Sequence, residues 1–395
     1  MTWRLGIVAS HVIQYQDPFF RLLAAEPEID LEVLFFSRIG AVAYRDAEMS
    51  TSLRWDLDLL QGYRHRFLTN FGAGRGFFRH VNPSIVTAIL GGRYDAVISM
   101  PGWGSLSTLL ALAACLVSNT PFFFYGDSSF PPPEDSVFRR LRAGILRFLF
   151  RRATGFMVSG KLNADYYAHY GADRDRFFLL PWAVDNERFE QGSRFAPGER
   201  EAMRERYGIA PDDIAFVFSA KLIPRKDPLA LLLALDSMRH RERAVAVYLG
   251  EGSMRGEIEA RARELSLAHR VRLPGFINQS DLPKHYAMCD VFVLPSRVEP
   301  RGAVVNEAMA CGLPVVVTDR CGSIGDIVIE GENALIYPAG DHRTLAECLD
   351  RLVESDDLRQ RMGRRSRDII RTWDYHRGVE GVVEMLRWVG SRRRT

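Results

Sequence analysis

Two glutamates eight positions apart, Glu299 and Glu307, frame the segment Glu299-Pro300-Arg301-Gly302-Ala303-Val304-Val305-Asn306-Glu307. The first follows an apolar strand read over 291–295. The second lies on a helix expected to begin near Gly302. The open end of such a helix carries backbone N–H groups with no acceptor inside the helix, and partial positive charge. A phosphate suits that end, and Gly302 lets the backbone come close to it. Glu307 sits about one turn in and leans back toward the N-terminus, where it can reach ribose hydroxyls. Glu299, at the lip of the strand, can hold hydroxyls of a sugar. A nucleotide sugar needs all of these contacts. A capped helix with two solvated acids is the plain alternative on spacing alone.

A second charged segment lies upstream, Ser219-Ala220-Lys221-Leu222-Ile223-Pro224-Arg225-Lys226-Asp227-Pro228. Lys221, Arg225 and Lys226 place three cations within six residues at the carboxyl end of a strand. A lysine there acts as a point charge for a phosphate. A solvated turn is the competing reading.

These segments must be positioned by an α/β scaffold. Short apolar runs alternate with helical stretches. The strands expected in the first half are 5–9, 31–36, 96–99, 121–125, 155–159 and 177–180. In the second half they are 215–219, 244–249, 271–273, 291–295 and 314–318. Helical patterns are read over 18–26, 84–91, 106–117 and 136–151. Near-continuous apolar strands are what a parallel sheet covered on both faces requires, and the alternation argues doubly wound architecture. The series restarts after the polar stretch 181–211. The expected domains are therefore an acceptor-side Rossmann-like domain over 1–182, a linker region over 183–211, and a nucleotide-sugar-binding Rossmann-like domain over 212–372. A C-terminal helix over 373–395 completes the chain and is expected to cross back to the first domain. The two domains are expected to face each other across a cleft.

With these residues in hand, the chain resembles the family-4 retaining glycosyltransferases, which have the two-domain GT-B fold. Glu299 and Glu307 match that family's E-x7-E motif, and Glu-Ala-Met-Ala-Cys-Gly-Leu-Pro-Val-Val (307–316) matches its flank. Lys221 falls where the family usually has the Arg of a Gly-Arg pair, and Lys226 matches its phosphate-binding lysine. Gly250-Glu251-Gly252, Leu273-Pro274-Gly275-Phe276 and 291–296 match further landmarks. The resemblance is strong over about 212–345 and weaker elsewhere. It implies that Lys221 and Lys226 neutralise the donor diphosphate and that the N–H groups of Gly302, Ala303 and Val304 cradle its distal phosphate. It gives the ribose to Glu307, the sugar to Glu299 and the nucleobase to backbone near Phe276. Ala220-Lys221 keeps the charge of the family's pair but loses bidentate geometry. Arg301 stands where an aromatic residue is common, so an altered sugar pocket is expected.

The acceptor side departs further from the family. Its glycine pair after the first strand is replaced by Ser10-His11-Val12-Ile13-Gln14-Tyr15-Gln16-Asp17-Pro18, and the Tyr-x-x-Pro-Phe-Phe portion looks like a subgroup without that pair. Tyr15 and His11 are acceptor-side candidates, though a lone histidine is more often structural. Many members carry a histidine after the strand equivalent to 121–125. Here the run is Tyr125-Gly126-Asp127-Ser128-Ser129, and Asp127 is the polar candidate, against a helix-capping role. Gly102 and Trp103 are candidates to line the acceptor cleft, against a core tryptophan. The family's reaction is described as same-face attack, in which the departing phosphate helps to deprotonate the acceptor. No protein nucleophile is then needed, and no nucleophile–base pair is read from the sequence.

The segment 135–152, DSVFRRLRAGILRFLFRR, reads as a basic amphipathic helix with six arginines between 139 and 152. Phe138, Leu141, Ile145 and Leu149 fall at helical spacing. The stripe is expected to pack on the sheet while the arginines are solvated. Such a helix can also lie on anionic lipid, so an anionic membrane surface contacted through 136–152 is an expected partner, with Arg392-Arg393-Arg394 as a further basic group.

Composition bounds the rest. The 395 residues are 47% hydrophobic and 26% charged, with a net charge of +3, too small to argue for nucleic acid. Five scattered cysteines form no CxxC pair and read as buried small hydrophobes of a reducing compartment. No secretory signal is read at the N-terminus. The run 106–117 falls short of the roughly 20 residues that span a bilayer and is expected to be a buried helix. The expected setting is cytoplasmic, peripheral on the inner face of the plasma membrane. No cofactor or metal requirement is expected, with the nucleoside-diphosphate sugar as co-substrate.

The leading function is a retaining glycosyltransferase acting on a glycan or lipid-linked acceptor in cell-surface polysaccharide or glycolipid biosynthesis. The alternatives are a GT-B-fold nucleotide-sugar epimerase, which would turn over donor without acceptor, and a non-catalytic glycan-binding relative.

Overall fold

The computed structural model describes residues 2–393 apart from 47, 50 and 75. In chain order its strands are β1 (Trp3–Ala9), β2 (Ile29–Phe35), β3 (Tyr44–Asp46), β4 (Thr51–Leu53), β5 (Arg64–Phe67), β6 (Ala96–Ser99), β7 (Phe122–Phe124), β8 (Gly155–Val158) and β9 (Phe177–Leu179). Then follow β10 (Ile214–Ser219), β11 (Ala244–Leu249), β12 (Val271–Gly275), β13 (Val291–Leu294), β14 (Val315–Thr318) and β15 (Ala334–Tyr337). The chain divides into two units. Unit 1 holds Met1–Ala43, Asp58–Trp182 and Asp374–Thr395; unit 2 holds Tyr44–Leu57 and Ala183–Trp373.

Unit 1 is built on a parallel sheet of order β5-β2-β1-β6-β7-β8-β9. Unit 2 is built on a parallel sheet of order β12-β11-β10-β13-β14-β15, with the short antiparallel pair β3-β4 beside it in the same unit. In each sheet the winding reverses next to the first strand, between β1 and β6 and between β10 and β13. The loops after those strands diverge there and leave a crevice at their carboxyl ends.

The sequence forms these sheets for a simple reason. β10, β11, β13 and β14 read IAFVFS, AVAVYL, VFVL and VVVT, and every residue in them is buried. Helices Leu229–Ser237 and His342–Glu354 cover one face of this sheet with Leu231, Leu232, Leu235, Leu345, Leu349 and Leu352. In unit 1, helices Ser84–Gly92, Leu106–Val117 and Val137–Arg152 share a core with Val97, Phe122, Phe124 and Phe156. The C-terminal helix Tyr375–Arg392 also belongs to unit 1, as expected, and packs on β9 and on helix Asp17–Ala25.

Several expectations need correction. Residues 183–211, read as a linker, carry helices Asn186–Gly192 and Glu199–Arg206 within unit 2. Arg204 is the reason: its buried guanidinium donates to the carbonyls of Met288, Ala210 and Asp213 and to Asp290, which ties the polar stretch to the sheet. Helix Leu106–Val117 is buried on one face only, with Leu116 and Val117 exposed. The stripe on Val137–Arg152 divides. Leu149 packs inward with Ala143, Leu146 and Phe150, whereas Phe138, Leu141 and Ile145 face solvent together with Val137 and Phe148. The five cysteines are buried and free, as read from the sequence. Arg394 of the terminal arginine run lies outside the described residues. Among the described residues no helix is long and apolar enough to cross a membrane.

Candidate functional site

The crevice of unit 2 gathers most of the charged candidates. β10 ends at Ser219, and the loop after it is pinned by the loop after β11. The Leu222 N–H donates to the Glu251 carbonyl at 2.9 Å and the Met254 N–H to the Leu222 carbonyl at 2.9 Å. A Cβ on Gly250 would stand 2.1 Å from the Ala220 oxygen, and one on Gly252 2.4 Å from the Leu222 oxygen. Only glycines let the two loops stack so closely. The short turn Pro224–Lys226 then delivers Lys226 to Glu299, and the two nearly buried side chains form an ion pair. Ser296 donates its hydroxyl to the same carboxylate at 3.3 Å. Arg225 remains beside this pair, with its carbonyl accepting the Arg297 N–H at 3.0 Å.

After β13 the chain turns at Gly302 into helix Ala303–Ala310. Gly302 has φ of 75°, and a Cβ there would press on Glu299 Cγ and Val305 Cγ2 at 3.2 Å. The left-handed turn and the close approach both call for glycine. The N–H groups of Gly302, Ala303 and Val304 have no acceptor among the described residues, as the first turn of a helix allows. Glu299 packs against this open end.

Glu307 lies on the same helix and is buried. The Tyr286 hydroxyl donates to it at 2.9 Å, and Ser219 is within hydrogen-bonding reach of that phenol. The chain Ser219–Tyr286–Glu307 thus links the end of β10 to the helix. Burial pushes the Glu307 carboxyl up to about 7, against the Tyr286 bond and the charge of Arg188. Arg301 does not face the open crevice. Its buried guanidinium donates to the Gly322 carbonyl at 2.8 Å and pairs with Asp326 at 3.3 Å, which braces the loop after β14.

Two further donor-side candidates are engaged by the segment Tyr44–Leu57. Lys221 Nζ contacts Asp46 at 2.9 Å and Glu48 at 2.7 Å. The Phe276 ring, just past β12, meets Trp55 with centroids 6.2 Å apart.

The crevice of unit 1 is of another kind. A cavity of about 410 Å³ opens after β1, β6 and β7. Tyr15, Gly102, Trp103 and Asp127 all line it, together with Tyr166 and Trp182. Trp182 stacks on Tyr125 at 5.8 Å and meets Tyr15 at 5.5 Å. The Tyr375 hydroxyl donates to the Tyr15 carbonyl at 2.7 Å and so fixes the loop after β1. Arg142 lies over the Trp103 ring at 5.1 Å and donates to the Tyr166 hydroxyl at 3.2 Å. His11 is not among the lining residues. Burial, then Arg79 and His80, lower its pKa to about 4, so it is neutral at pH 7.

Sequence reasoning missed Tyr286, Ser219, Trp182, Tyr166, Asp46 and Glu48. Trp182 carried a usable signal, because Leu180-Pro181-Trp182 ends the last strand of unit 1. The others carried none, since each acts through a partner distant in sequence.

Known proteins share part of this sequence and the fold. Residues 199–369 match the model described as Glycosyl transferases group 1. Over that segment, less than half of the chain, the sequence is similar to this family of glycosyltransferases. The matched segment includes every unit 2 candidate from Lys221 to Glu307, while the cavity of unit 1 lies outside it. Among curated relatives, a D-inositol 3-phosphate glycosyltransferase of Geodermatophilus obscurus is 33% identical over 195 residues, 45% of this chain and 42% of the relative. A GDP-mannose-dependent alpha-(1-6)-phosphatidylinositol monomannoside mannosyltransferase of Mycolicibacterium smegmatis is 31% identical over 217 residues, 52% and 55% of the two chains. The chain thus spans about half the length of the curated relatives it matches. Two solved structures share the fold nearly end to end. Anabaena HepE in complex with UDP has a TM-score of 0.74 at 17% identity, covering 97% of this chain and 99% of that one. Sucrose-phosphate synthase of Thermosynechococcus elongatus has a TM-score of 0.73 at 17% identity, covering 99% and 100%. The fold is GT-B, with two Rossmann-like units.

Proposed function

We propose that the protein is a retaining glycosyltransferase that moves a sugar from a nucleoside-diphosphate sugar to a glycan or lipid-linked acceptor. The observation that carries this reading is the Lys226–Glu299 pair set against the open N-terminus of helix Ala303–Ala310, at the switch point of the unit 2 sheet. A lysine and three unpaired N–H groups attract a diphosphate. The buried carboxylates of Glu299 and Glu307 accept hydrogen bonds from hydroxyls of the sugar and the ribose. The complexes of HepE with UDP and with UDP-glucose support a nucleotide-sugar ligand for this fold.

In this reading the bond from the anomeric carbon to the diphosphate oxygen breaks, and the carbon develops positive charge. The acceptor oxygen bonds to the same face, and its proton passes to an oxygen of the departing diphosphate. Lys226 and the helix N–H groups act where the negative charge accumulates, the place where preorganised electrostatics contribute most. The unit 1 cavity offers aromatic walls and Asp127 to an acceptor sugar.

The exposed face of helix Val137–Arg152 supports a peripheral role on anionic membrane. Phe138 is 76% exposed and Leu141 62%, and Arg139, Arg140, Arg151 and Arg152 are exposed around them. Apolar side chains flanked by arginines match the interface of an anionic bilayer. The name of the Mycolicibacterium smegmatis mannosyltransferase includes a phosphatidylinositol lipid, which supports such a setting.

A thermal-shift screen of uridine, guanosine and adenosine diphosphates tests the donor site, because a ligand that prefers the folded state raises Tm. One diphosphate is expected to raise Tm in the parent and not in Lys226→Ala. Turnover of the matching nucleotide sugar, with the product anomer read by NMR, then tests the reaction. An inverted anomer, or turnover without acceptor to an epimer, contradicts it.

A further inference from the structure

The segment Tyr44–Leu57 comes from the N-terminal half of the sequence, yet it belongs to unit 2. It is anchored at two places. At one, Asp46 and Glu48 both reach Lys221 Nζ, at 2.9 and 2.7 Å. Asp46 is itself aimed by its own turn, since its Oδ1 accepts the N–H groups of Glu48 and Met49 at 2.9 and 3.0 Å. At the other, the Arg54 carbonyl accepts from Asn278 Nδ2 at 2.9 Å. Asp56 there accepts the Ser280 N–H at 3.1 Å and the Ser280 hydroxyl, while Trp55 meets Phe276. The segment therefore runs from the loop after β10 to the loop after β12.

Both anchors involve residues to which the family resemblance gives a donor role: Lys221 for the diphosphate and backbone near Phe276 for the base. One ammonium cannot serve two carboxylates and a diphosphate together. With Asp46 and Glu48 in place, Lys221 already faces two carboxylates, and a diphosphate brought to the same ammonium would meet their negative charge at close range. Lys221 is half-buried, so the repulsion is only partly screened. Lys221 holds the Glu48 carboxyl below its usual range, and it does the same for Asp46 against the opposing effect of burial.

We infer that Tyr44–Leu57 is an acidic strap whose Asp46 and Glu48 compete with the donor diphosphate for Lys221, so that donor binding requires this contact to open. The inference rests on the donor-site reading above. It assigns the two carboxylates a function that neither the motif around Glu299 nor the family match contains.

The test is calorimetric titration of uridine diphosphate and guanosine diphosphate into the parent, the double variant Asp46→Asn/Glu48→Gln, and Asp56→Asn. Lys226→Ala serves as a control for the site itself. The double variant is expected to bind the preferred diphosphate roughly five- to tenfold more tightly than the parent, and the bare nucleoside with no comparable gain. Asp56→Asn, which loosens the other anchor without touching Lys221, is expected to shift affinity in the same direction by less. Diphosphate binding that is unchanged or weaker in the double variant overturns the inference. If Lys226→Ala abolishes binding in that case, the donor-site reading survives alone. If Lys226→Ala binds as the parent does, or if no protein binds either diphosphate, both fall together.

Discussion

The two units wind their central strands in the same order but arm the switch point differently. In unit 2 the crevice is ionic. Lys221, Lys226, Glu299 and Glu307 are each held by a named partner, and glycines bring the loops into contact. In unit 1 the crevice is walled by rings, and Asp127 is the one carboxylate among its described lining residues. Topology fixes where a ligand sits in such sheets, and the loop residues fix which ligand it is. A diphosphate calls for fixed cations and N–H groups. A sugar ring is met by flat apolar faces and a few polar atoms.

The largest effect that would break this contrast is at Lys226. Lys226→Ala is expected to lower donor turnover by at least an order of magnitude. It also strands Glu299 without its cation, at a cost of about 3–5 kcal/mol in stability. Adding Glu299→Gln to this variant should recover much of the Tm but none of the turnover. Recovery of both, read by melting and by donor consumption, would reduce the pair to a structural brace.

Glu307 sharpens the contrast through pH. Its carboxyl is raised to about 7, so the folded state holds this proton more firmly than the unfolded chain does. The stabilisation is full below about 4.5 and is lost as pH rises through about 7. The span corresponds to at most about 3 kcal/mol. Melting curves of Glu307→Gln against the parent should therefore diverge in favour of the variant between pH 5 and 8. A constant difference across that range would place the titration elsewhere.

Unit 1 should respond in the opposite sense. Trp103→Ala is expected to raise the acceptor KM several-fold and leave diphosphate affinity unchanged. Weakened diphosphate binding in that variant would break the division between the units. The smallest expected effect is at the exposed helix. Changing Phe138 and Leu141 to serine with Arg140, Arg151 and Arg152 to glutamine should reduce co-sedimentation with phosphatidylserine vesicles, each arginine contributing about 1 kcal/mol. Activity on a short soluble acceptor should be unaffected. Equal sedimentation of variant and parent would remove the membrane face.

Legibility in the sequence followed the same division. Buried strands such as β6 and β11 were readable to the residue because an unbroken apolar run has one physical use. β5, with the sequence RHRF, was not, because an edge strand needs no such run. β15 is likewise an edge strand, and β3-β4 is a surface pair. On the donor side, Glu299, Gly302 and Glu307 lie within nine residues, so helix periodicity brings them together directly. Lys226 was readable as a cation, but its partner stands 73 residues away. The carboxylates on Lys221 lie 175 and 173 residues away, and no local pattern announces them. The stripe on Val137–Arg152 was read at the correct period but given the wrong neighbour, because spacing fixes a face and says nothing of what covers it.

The central claim is that unit 2 grips a diphosphate with Lys226 and the start of helix Ala303–Ala310. Hydrogen–deuterium exchange, with and without saturating nucleoside diphosphate, addresses it most directly. The account predicts slowed exchange concentrated at 299–306 and 221–227. Protection confined to the loops after β1, β6 and β7, or no protection by any nucleoside diphosphate, would contradict it.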